Sequence, residues 1–268
     1  MSRNKKLETV SDFNKQWTSF QKQKGVYADE NFFFDYFGNL LNSSEIEDKT
    51  IAEIGCGNGR FVKIISHYAK EVGGFEPSGA VNVAKKYCED CANVNFHHQS
   101  IYDVDIKDKY DTVFCLGVLH HLPDPVLALQ RMYSMLKEDG VCYVWVYGSE
   151  NNSLYLKIFK PIIKITSRFP HWLLNFFSFI LAILLRIYIL IVCSFRFIPW
   201  PMKTYILNVS KKLGFYYLKL VIYDQLNPKI ANYYSKGEII KLIKDAGFSR
   251  VEAYHRHNYS WAIKSFKK

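Results

Sequence analysis

The chain has few of the features expected of a secreted, disulfide-bonded protein. Its six cysteines are scattered through segments that look like strands, helices and loops, and its first fifteen residues are charged and have no apolar core. Disulfide frameworks and signal peptides show the opposite features. The sequence therefore predicts a reducing, cytoplasmic location. A peripheral position at the inner face of the cytoplasmic membrane stays open because of an apolar segment described below.

The sequence does not indicate a metal site. Its one C-x-x-C motif, Cys88 to Cys91, has neither a second cysteine pair nor nearby histidines at the spacing of zinc ligands. Two cysteines near the end of a helix are the simpler interpretation. We predict no metal ligand.

The charge balance is basic. The 268 residues include 35 Lys and Arg against 25 Asp and Glu, and 49% of the residues are hydrophobic. This is enough apolar material for one large domain, or for one domain with an inserted subdomain. The excess of positive charge indicates an anionic partner, such as phosphates, nucleic acid or a membrane surface, without choosing among them.

The first half of the chain alternates short β-type runs with helical patterns. Before the helix that follows residue 124, Asp124 is suited to the N-cap and Pro125 to the first helical position. Such alternation predicts βαβ units and a parallel sheet, whose ligands bind at the carboxyl ends of the strands. Strands are predicted over residues 50–54, 72–75, 94–97, 112–116 and 141–147, and helices over residues 60–70, 79–89 and 125–136.

Two motifs follow the first two predicted strands. Gly55, Gly57 and Gly59 form a G-x-G-x-G loop, in which glycine permits a sharp turn and close approach of a ligand. The spacing differs from the G-x-G-x-x-G of dinucleotide-binding dehydrogenases. Glu76 lies 21 residues after Gly55 at the end of the second strand. A carboxylate there can accept hydrogen bonds from a ribose diol.

Residues 45–148 resemble the class I S-adenosylmethionine-dependent methyltransferases of the ubiquinone/menaquinone-methyltransferase-like superfamily. Four motifs match in order: EIGCGNG from residue 53, FEPS from residue 75, YDTV with LGVLHHL from residue 110, and LKEDG from residue 136. The resemblance implies methyl transfer with S-adenosylmethionine as cofactor and S-adenosylhomocysteine as product. It also implies an α/β fold, with a Rossmann-like, seven-stranded, mostly parallel sheet and helices on both faces.

The same resemblance assigns roles to residues at the cofactor. Glu53 and the glycine loop would face the methionine moiety, and Glu76 would hold the ribose. The turn that usually holds adenine departs from the family pattern, because its usual Asp is missing and the chain has Gln99-Ser100-Ile101. The Ser100 hydroxyl and the Ile101 N–H would then contact adenine. The candidate cofactor-binding residues are Glu53, Gly55, Cys56, Gly57, Gly59, Glu76, Pro77, Ser100, Ile101 and Leu116.

An apolar and basic insertion follows the fifth strand. Its run from Trp172 to Phe195 is long enough to span a bilayer, which needs about 20 residues. A single crossing is excluded, because later strands over residues 249–257 and 259–266 are expected to complete the same sheet. The insertion is therefore a membrane-surface element, a segment that enters the membrane and returns, a lid over the active site, or a homodimer surface. Trp172 and Trp200 near its ends favour the membrane surface, as do flanking basic residues: Lys157, Lys160, Lys164, Arg168, Arg196, Lys203, Lys211 and Lys212.

The chain is thus predicted to have four parts. Residues 1–44 form an N-terminal helical extension, which either closes over the cofactor or packs on the sheet edge. Residues 45–148 form the cofactor-binding core, and residues 149–234 the apolar helical insertion between strands five and six. Residues 235–268 form a helix and two strands that complete the sheet. A capping box at Ser235 starts that helix.

Methylation of an oxygen or carbon usually needs a base as well as positioning. His120 and His121 are the best candidates, because they follow the fourth strand near the expected methyl group and histidine titrates near pH 6.5. One of them could instead only pack the loop. Asp224, Tyr223 and Tyr27 are second-rank candidates for the acceptor site.

These observations favour O-methylation of a membrane-proximal or lipid-linked small molecule, such as a surface-glycan sugar. Residues 221–235 also resemble a bacterial subset of these methyltransferases with a similar apolar insertion, related to surface-polysaccharide cluster proteins. The alternatives are tRNA methylation and C-methylation of an isoprenoid quinone. RNA is disfavoured, because much of the excess charge flanks the apolar run instead of forming an exposed stripe. A non-catalytic role is disfavoured by the intact glycine loop and Glu76.

Overall fold

The computed structural model describes residues 13–14, 17–18 and 25–268. Within them, seven strands form one sheet in the order β3-β2-β1-β4-β5-β7-β6. β7 is antiparallel to both of its neighbours, and all other pairs are parallel. The predicted fold class is therefore confirmed. The strands are β1 Thr50–Ile54, β2 Glu71–Phe75, β3 Val94–His97, β4 Tyr110–Leu116, β5 Leu136–Tyr147, β6 Val251–Arg256 and β7 Ser260–Phe266.

Helices cover both faces of the sheet. Adjacent residues of β4 show why: Val113 points into one buried cluster and Phe114 into the other, as the twofold periodicity of a strand requires. The helices are α1 Glu30–Asp35, α2 Arg60–Ser66, α3 Ala80–Tyr87, α4 Pro125–Met135, α5 Ser153–Thr166, α6 His171–Ser194, α7 Lys203–Asn208, α8 Phe215–Leu226 and α9 Lys236–Asp245.

The predicted helix starts are confirmed. Asp124 caps α4 by accepting a hydrogen bond from the Leu127 N–H at 3.0 Å. Ser235 and Glu238 form the capping box of α9. Each cap satisfies backbone N–H groups that the first turn of a helix leaves without partners.

The strand order decides where a ligand can bind. β1 has β2 on one side and β4 on the other, so the connections after β1 and β4 leave in opposite directions. A crevice therefore opens at the carboxyl ends of these strands. The glycine loop follows β1, Glu76 follows β2, and the two histidines follow β4.

The N-terminal segment packs on one face of the sheet as far as the structure describes it. Phe33 and Phe37 are fully buried, and their rings lie 5.7 Å from that of Phe114. The predictions made for residues 1–12, 15–16 and 19–24, including the absence of a signal peptide, lie outside the described residues.

The insertion comprises α5 to α8 and leaves the sheet after β5. The chain returns through α9 to β7, which pairs with β5 from Val141 opposite Phe266 to Tyr147 opposite Ser260. The expectation that the last strands join the same sheet is thus confirmed, and one membrane crossing between them is excluded. In the described part of the chain, α6 is the one helix long and apolar enough to cross a membrane, with a mean hydropathy of 2.7.

Candidate active site

The loop between β1 and α2 needs its glycines. Gly55 has φ +69°, and a Cβ there would lie 2.5 Å from Cγ2 of Val118. Gly59 has φ +81°, and its Cβ would lie 2.9 Å from that of Ala84. The N–H groups of Gly55 and Cys56 both donate to the Phe75 carbonyl, at 2.8 and 3.1 Å. The loop is therefore tied to the end of β2 and leaves a concave backbone that a ligand can approach.

Glu76 is held in place by this loop. The side chain is 5% exposed. Its Oε2 accepts a hydrogen bond from the Gly57 N–H at 3.0 Å, and Oε1 accepts one from the Ser78 N–H at 2.9 Å. Burial raises the pKa of this carboxyl, and hydrogen bonding from the Ser78 side chain and from the two backbone N–H groups opposes the rise. A carboxylate has about four lone-pair sites, so lone pairs remain for a diol.

Glu53 lies at the end of β1 in a different environment. Its side chain is 2% exposed, and Oε2 has no hydrogen-bond partner among the described residues. Burial raises its pKa to about 8, although the nearby Arg60 charge acts in the opposite direction. An unpartnered buried carboxylate is costly. Glu53 lies two residues before Gly55 but is not among the residues that line either of the two cavities described below.

One cavity of about 580 Å³ opens from this crevice. Its first end is lined by Gly55, Glu76, Pro77 and Leu116. Its volume is in the usual range for small-molecule sites, roughly 300–1,000 Å³. The other walls come from the N-terminal segment and the insertion: Phe13, Trp17, Tyr27, Leu181, Leu184, Leu185, Tyr188, Ile206, Leu213 and Ile222 among others.

The proposed adenine residues line a second, smaller cavity of about 60 Å³. Ser100 and Ile101 lie there with Phe75. The two cavities adjoin, because both are lined by Gly55, Pro77, Val118 and Leu122. The Ser100 hydroxyl oxygen accepts a hydrogen bond from the Tyr102 N–H at 3.4 Å and thereby caps a short 3-10 turn.

The two neighbouring histidines have different surroundings. His120 is fully buried behind the cavity wall, with its ring 3.8 Å from that of Tyr147, and neither ring nitrogen has a partner in the described chain. His121 lines the cavity, and its Nδ1 lies 2.6 Å from the Ile230 carbonyl oxygen. Burial lowers the pKa of both rings, and for His121 the charge of Asp224 opposes this. Both imidazoles are therefore neutral at pH 7.

Hydroxyl groups surround the third candidate, Asp224, which lies on α8 and lines the cavity. The Tyr147 hydroxyl donates to its Oδ2 at 3.1 Å. The neighbouring Gln225 accepts hydrogen bonds from Tyr155 and Tyr233 through Oε1, at 2.9 and 3.1 Å. The structure thus brings His121 and Asp224 to one cavity with a set of tyrosines.

Two other candidates lie apart from the cavity. The Cys56 side chain is buried in an apolar cluster, so only its backbone belongs to the glycine loop. Tyr223 is buried on α8, and its hydroxyl is hydrogen-bonded to His171. Tyr27, in contrast, lines the cavity and stacks on Tyr217 with a ring distance of 4.9 Å. Within the described residues, no group of three or more His, Cys, Asp or Glu could hold a metal ion.

Arg60 is a cavity residue that the sequence reasoning missed. Its guanidinium lies 3.7 Å from the centre of the Tyr27 ring, and Nη1 donates to the Tyr27 carbonyl at 3.0 Å. It lines the cavity close to the glycine loop, where a cation can attract a carboxylate. Its position immediately after Gly59 is a signal that could have identified it.

Comparison with known proteins agrees with this geometry. A family model described as a methyltransferase domain matches residues 52–144. Two tRNA U34 carboxymethyltransferases are similar: one from Campylobacter curvus is 26% identical over 46% of this chain and 45% of its own length. One from Helicobacter pylori is 35% identical over 38% of this chain and 41% of its own. The chain thus spans less than half the length of these curated relatives.

Solved structures share the fold over nearly the whole chain. Magnesium protoporphyrin IX methyltransferase from Synechocystis has a TM-score of 0.59 at 15% identity, covering 98% of this chain and 100% of that one. A 1,6-didemethyltoxoflavin-N1-methyltransferase from Burkholderia thailandensis has a TM-score of 0.58 at 13% identity, covering 98% and 88%. Residues 52–144 are thus similar to a methyltransferase domain, as the motifs of that segment predict, and the chain has the fold of these solved methyltransferases.

Proposed function

We propose that this protein transfers a methyl group from S-adenosylmethionine to a hydroxyl of a lipid-linked small molecule, such as a membrane-proximal sugar. The observation that carries the proposal is the continuity of the cavity. It extends from Gly55 and Glu76 to His121 and Asp224, and then on between apolar side chains of α6 and α8. A cofactor, a polar acceptor group and an apolar tail can therefore occupy one space.

The donor end of the cavity fits the cofactor. S-adenosylmethionine supplies a methyl group that its sulfonium already activates. Glu76 is oriented by the N–H groups of Gly57 and Ser78 to hold the ribose. The unpartnered carboxylate of Glu53 suits the positive charge of the methionine moiety, and Arg60 suits its carboxylate.

His121 is the base that the geometry supports best. A carbonyl oxygen only accepts hydrogen bonds, so Nδ1 carries the proton that it donates to Ile230, and Nε2 keeps its lone pair. Nε2 has no other partner within the described residues. Nε2 would accept the proton that the acceptor hydroxyl loses on methylation, while S-adenosylhomocysteine would leave as the product. Burial lowers the pKa of His121, but the charge of Asp224 opposes this and so favours the resulting imidazolium.

A second candidate is tRNA methylation, favoured by the names of the curated relatives. Those relatives match 46% or less of this chain, and α6 is absent from the family match at residues 52–144. Because the apolar part of the cavity comes from α6 to α8, we favour the lipid-linked acceptor. The same apolar wall would also suit C-methylation of an isoprenoid quinone.

Cofactor binding is tested by calorimetry with S-adenosylhomocysteine. Glu76→Gln is expected to weaken binding roughly tenfold to hundredfold, since hydrogen bonds to charged groups contribute about 1.5–3 kcal/mol. Glu71→Gln, at the start of the same strand and away from the cavity, is the matched control. If the Glu76→Gln variant and the native protein bind S-adenosylhomocysteine equally well, Glu76 does not hold the ribose.

The acceptor is tested by transfer of labelled methyl groups from S-adenosylmethionine to bacterial lipid extract, to quinones and to bulk tRNA. Label in acid-labile, lipid-linked sugar supports the proposal, whereas label in tRNA or in the quinone ring supports the respective alternative. His121→Asn should lower kcat by roughly 10²–10⁴ and leave S-adenosylhomocysteine affinity unchanged. His67→Asn, on an exposed residue of the same type, should have no effect. Unchanged kcat in His121→Asn would exclude it as the base.

A further inference from the structure

The exposed apolar surface of the described chain is concentrated in the insertion. Of eighteen exposed large hydrophobic side chains, seventeen lie between Leu154 and Phe215, and the other is Leu127. Scattered single exposures are normal for a soluble protein, but a contiguous set indicates a contact surface. Something other than water therefore covers this region.

α6 divides into three faces. Its buried face, with Leu174, Ala182 and Ile189, packs toward the core. A second face, with Leu181 and Leu185, lines the cavity. We call the remaining stripe the outer face. It covers roughly 120° of the helix at 100° per residue. Its exposed residues are Trp172, Phe176, Phe179, Ile180, Ile183, Ile187, Leu190 and Ile191.

Positive charge surrounds this stripe. Residues 151–223 contain ten Lys and Arg and no Asp or Glu, so the remaining chain has 25 basic and 25 acidic residues. The formal excess of the protein thus equals that of residues 151–223, within the insertion. Arg168 and Arg196 are exposed just beyond the two ends of α6, and Arg186 is exposed at the edge of the outer face.

This charge selects among the surfaces that could cover the outer face. A second copy would bring ten like charges against ten, which opposes association. Nucleic acid is anionic but offers no apolar area for eight large side chains. The surface of an anionic bilayer offers both, because its headgroups attract Lys and Arg while its acyl boundary receives aliphatic and aromatic side chains.

We propose that α6 docks its outer face on an anionic lipid bilayer and lies in the plane of the interface. Both ends of the insertion return to one sheet, so α6 does not cross the membrane on its own. The twelve residues of α8 cover about 18 Å, too short to cross a hydrocarbon core of about 30 Å and return the chain. In this orientation Arg186 lies beside the headgroups instead of within the hydrocarbon.

The docked orientation also explains the open end of the cavity. Leu184 is 55% exposed and also lines the cavity, at the border between the outer face and the cavity-lining face of α6. Leu181, Leu185 and Tyr188 continue that wall inward. An acceptor anchored in the bilayer could therefore reach His121 while its apolar tail stays beside α6. This last step rests on the proposed function, whereas the docking itself does not.

The test is flotation of the full chain with vesicles of phosphatidylcholine alone or mixed with phosphatidylglycerol. Flotation separates bound protein from aggregates, which sink. The native protein is expected to float with the anionic vesicles, and Ile180→Ser/Ile183→Ser/Ile187→Ser to lose about tenfold or more in apparent affinity. Leu190→Ser should weaken binding measurably, whereas Leu127→Ser, the matched change outside the insertion, should not.

The charge contribution has its own pair of variants. Arg168→Glu/Arg196→Glu should lower affinity for anionic vesicles, while Lys85→Glu/Lys86→Glu, with the same change in net charge on exposed α3 residues, should not. Bromine-labelled acyl chains should quench the fluorescence of Trp172, which is 71% exposed, and the quenching should be smaller in Trp172→Phe.

Equal flotation of the outer-face variant and the native protein overturns the proposal. So does a dimer in solution that the outer-face substitutions dissociate, because a second copy then covers the face. Binding of S-adenosylhomocysteine by the same samples shows that each variant is folded. If the native protein binds S-adenosylhomocysteine but does not float with vesicles, the docking proposal is wrong and the methyltransferase proposal stands. If it floats but does not bind S-adenosylhomocysteine, the methyltransferase proposal is wrong and the docking proposal stands.

Discussion

At the residue scale, the two buried glutamates of the candidate cofactor site differ in the hydrogen bonds that their carboxyl groups accept. Glu76 receives two backbone hydrogen bonds, whereas Oε2 of Glu53 receives none among the described residues. Hydrogen bonds to a carboxylate favour its charged form, and burial without them favours the neutral form. For Glu53, burial outweighs the Arg60 charge and the backbone hydrogen bond from Val62, so its pKa is raised to about 8 and its neutral form is favoured.

This difference predicts how stability depends on pH. The pKa of Glu53 is raised to about 8, so the folded state holds a proton that the unfolded state has released above its ordinary value of 4.5. Stability of the empty protein should therefore fall between about pH 5 and pH 8, and Glu53→Gln should remove roughly 2–5 kcal/mol of that fall. Urea unfolding at several pH values across this range measures the free energy of unfolding. Glu89→Gln, which is exposed, should behave like the native protein; the same slope in Glu53→Gln would contradict the assignment.

His121 and His120 show where sequence reasoning reached its limit at this scale. Both follow β4 and both have the same side chain, so their pattern predicts a base without choosing one. The choice depends on Ile230, 109 residues away, which accepts a hydrogen bond from His121, and on Tyr147, which packs on His120.

At the scale of elements, the loop from β1 to α2 combines cofactor geometry with stability. Its glycines follow a strand of five residues, and Glu76 follows the neighbouring strand at the same edge of the sheet. Local signals of this kind are visible in sequence because each motif lies within a few residues of its strand. Strand β1 and strand β3 accordingly have the bounds predicted for them.

Gly55→Ala tests the steric requirement of this loop. The new Cβ would lie 2.5 Å from Val118 at a φ of +69°, so the variant should lose about 1–3 kcal/mol of stability and bind S-adenosylhomocysteine weakly. Gly237→Ala is the matched change inside α9, where no atom lies within 4 Å of the new Cβ. It should stabilise the protein by about 1 kcal/mol. Thermal unfolding of both variants gives the comparison, and a stable Gly55→Ala with normal binding would contradict the packing.

The insertion was harder to predict as an element. Its apolar run indicated a long helix, and α6 is that helix, with bounds one residue earlier at each end. Which of its sides faces core, cavity or exterior depends on α8, which packs along it. No periodic signal in a run that is apolar on all sides can make that assignment.

At the scale of the whole molecule, an ion pair joins distant parts of the chain. Arg256 on β6 is fully buried and donates to Asp35 at 2.6 Å through Nη2 and at 2.9 Å through Nε. His257 contacts the other oxygen of Asp35 at 2.9 Å. These contacts fix the N-terminal segment to the far edge of the sheet, beside the cavity that Arg256 also lines.

Asp35→Asn should therefore destabilise the protein by about 3 kcal/mol, because it leaves a buried guanidinium without its counter-charge. Burial acts to raise the pKa of Asp35, but hydrogen bonding from His257 and the charge of Arg256 together lower it to about 2. The stabilisation should be complete above the ordinary value of 3.8 and be lost as pH falls through about 2. Chemical unfolding of the native protein and of Asp35→Asn at several pH values tests the predicted loss of stability and its pH dependence. Asp90→Asn, in an exposed pair with Lys63, should change the stability little; equal losses in the two variants would contradict the buried-pair account.

The α/β core, the mostly parallel sheet and the cofactor class could all be predicted from the amino-acid sequence. These follow from alternation, glycine spacing and strand-end carboxylates, which are local patterns with local physical causes. Only the tertiary structure decided that His121 lines the cavity and His120 does not, that Arg60 joins the site, and that α6 presents separate buried, cavity and outer faces. Those outcomes depend on contacts between residues up to 221 positions apart, and a pattern read along the chain does not contain them.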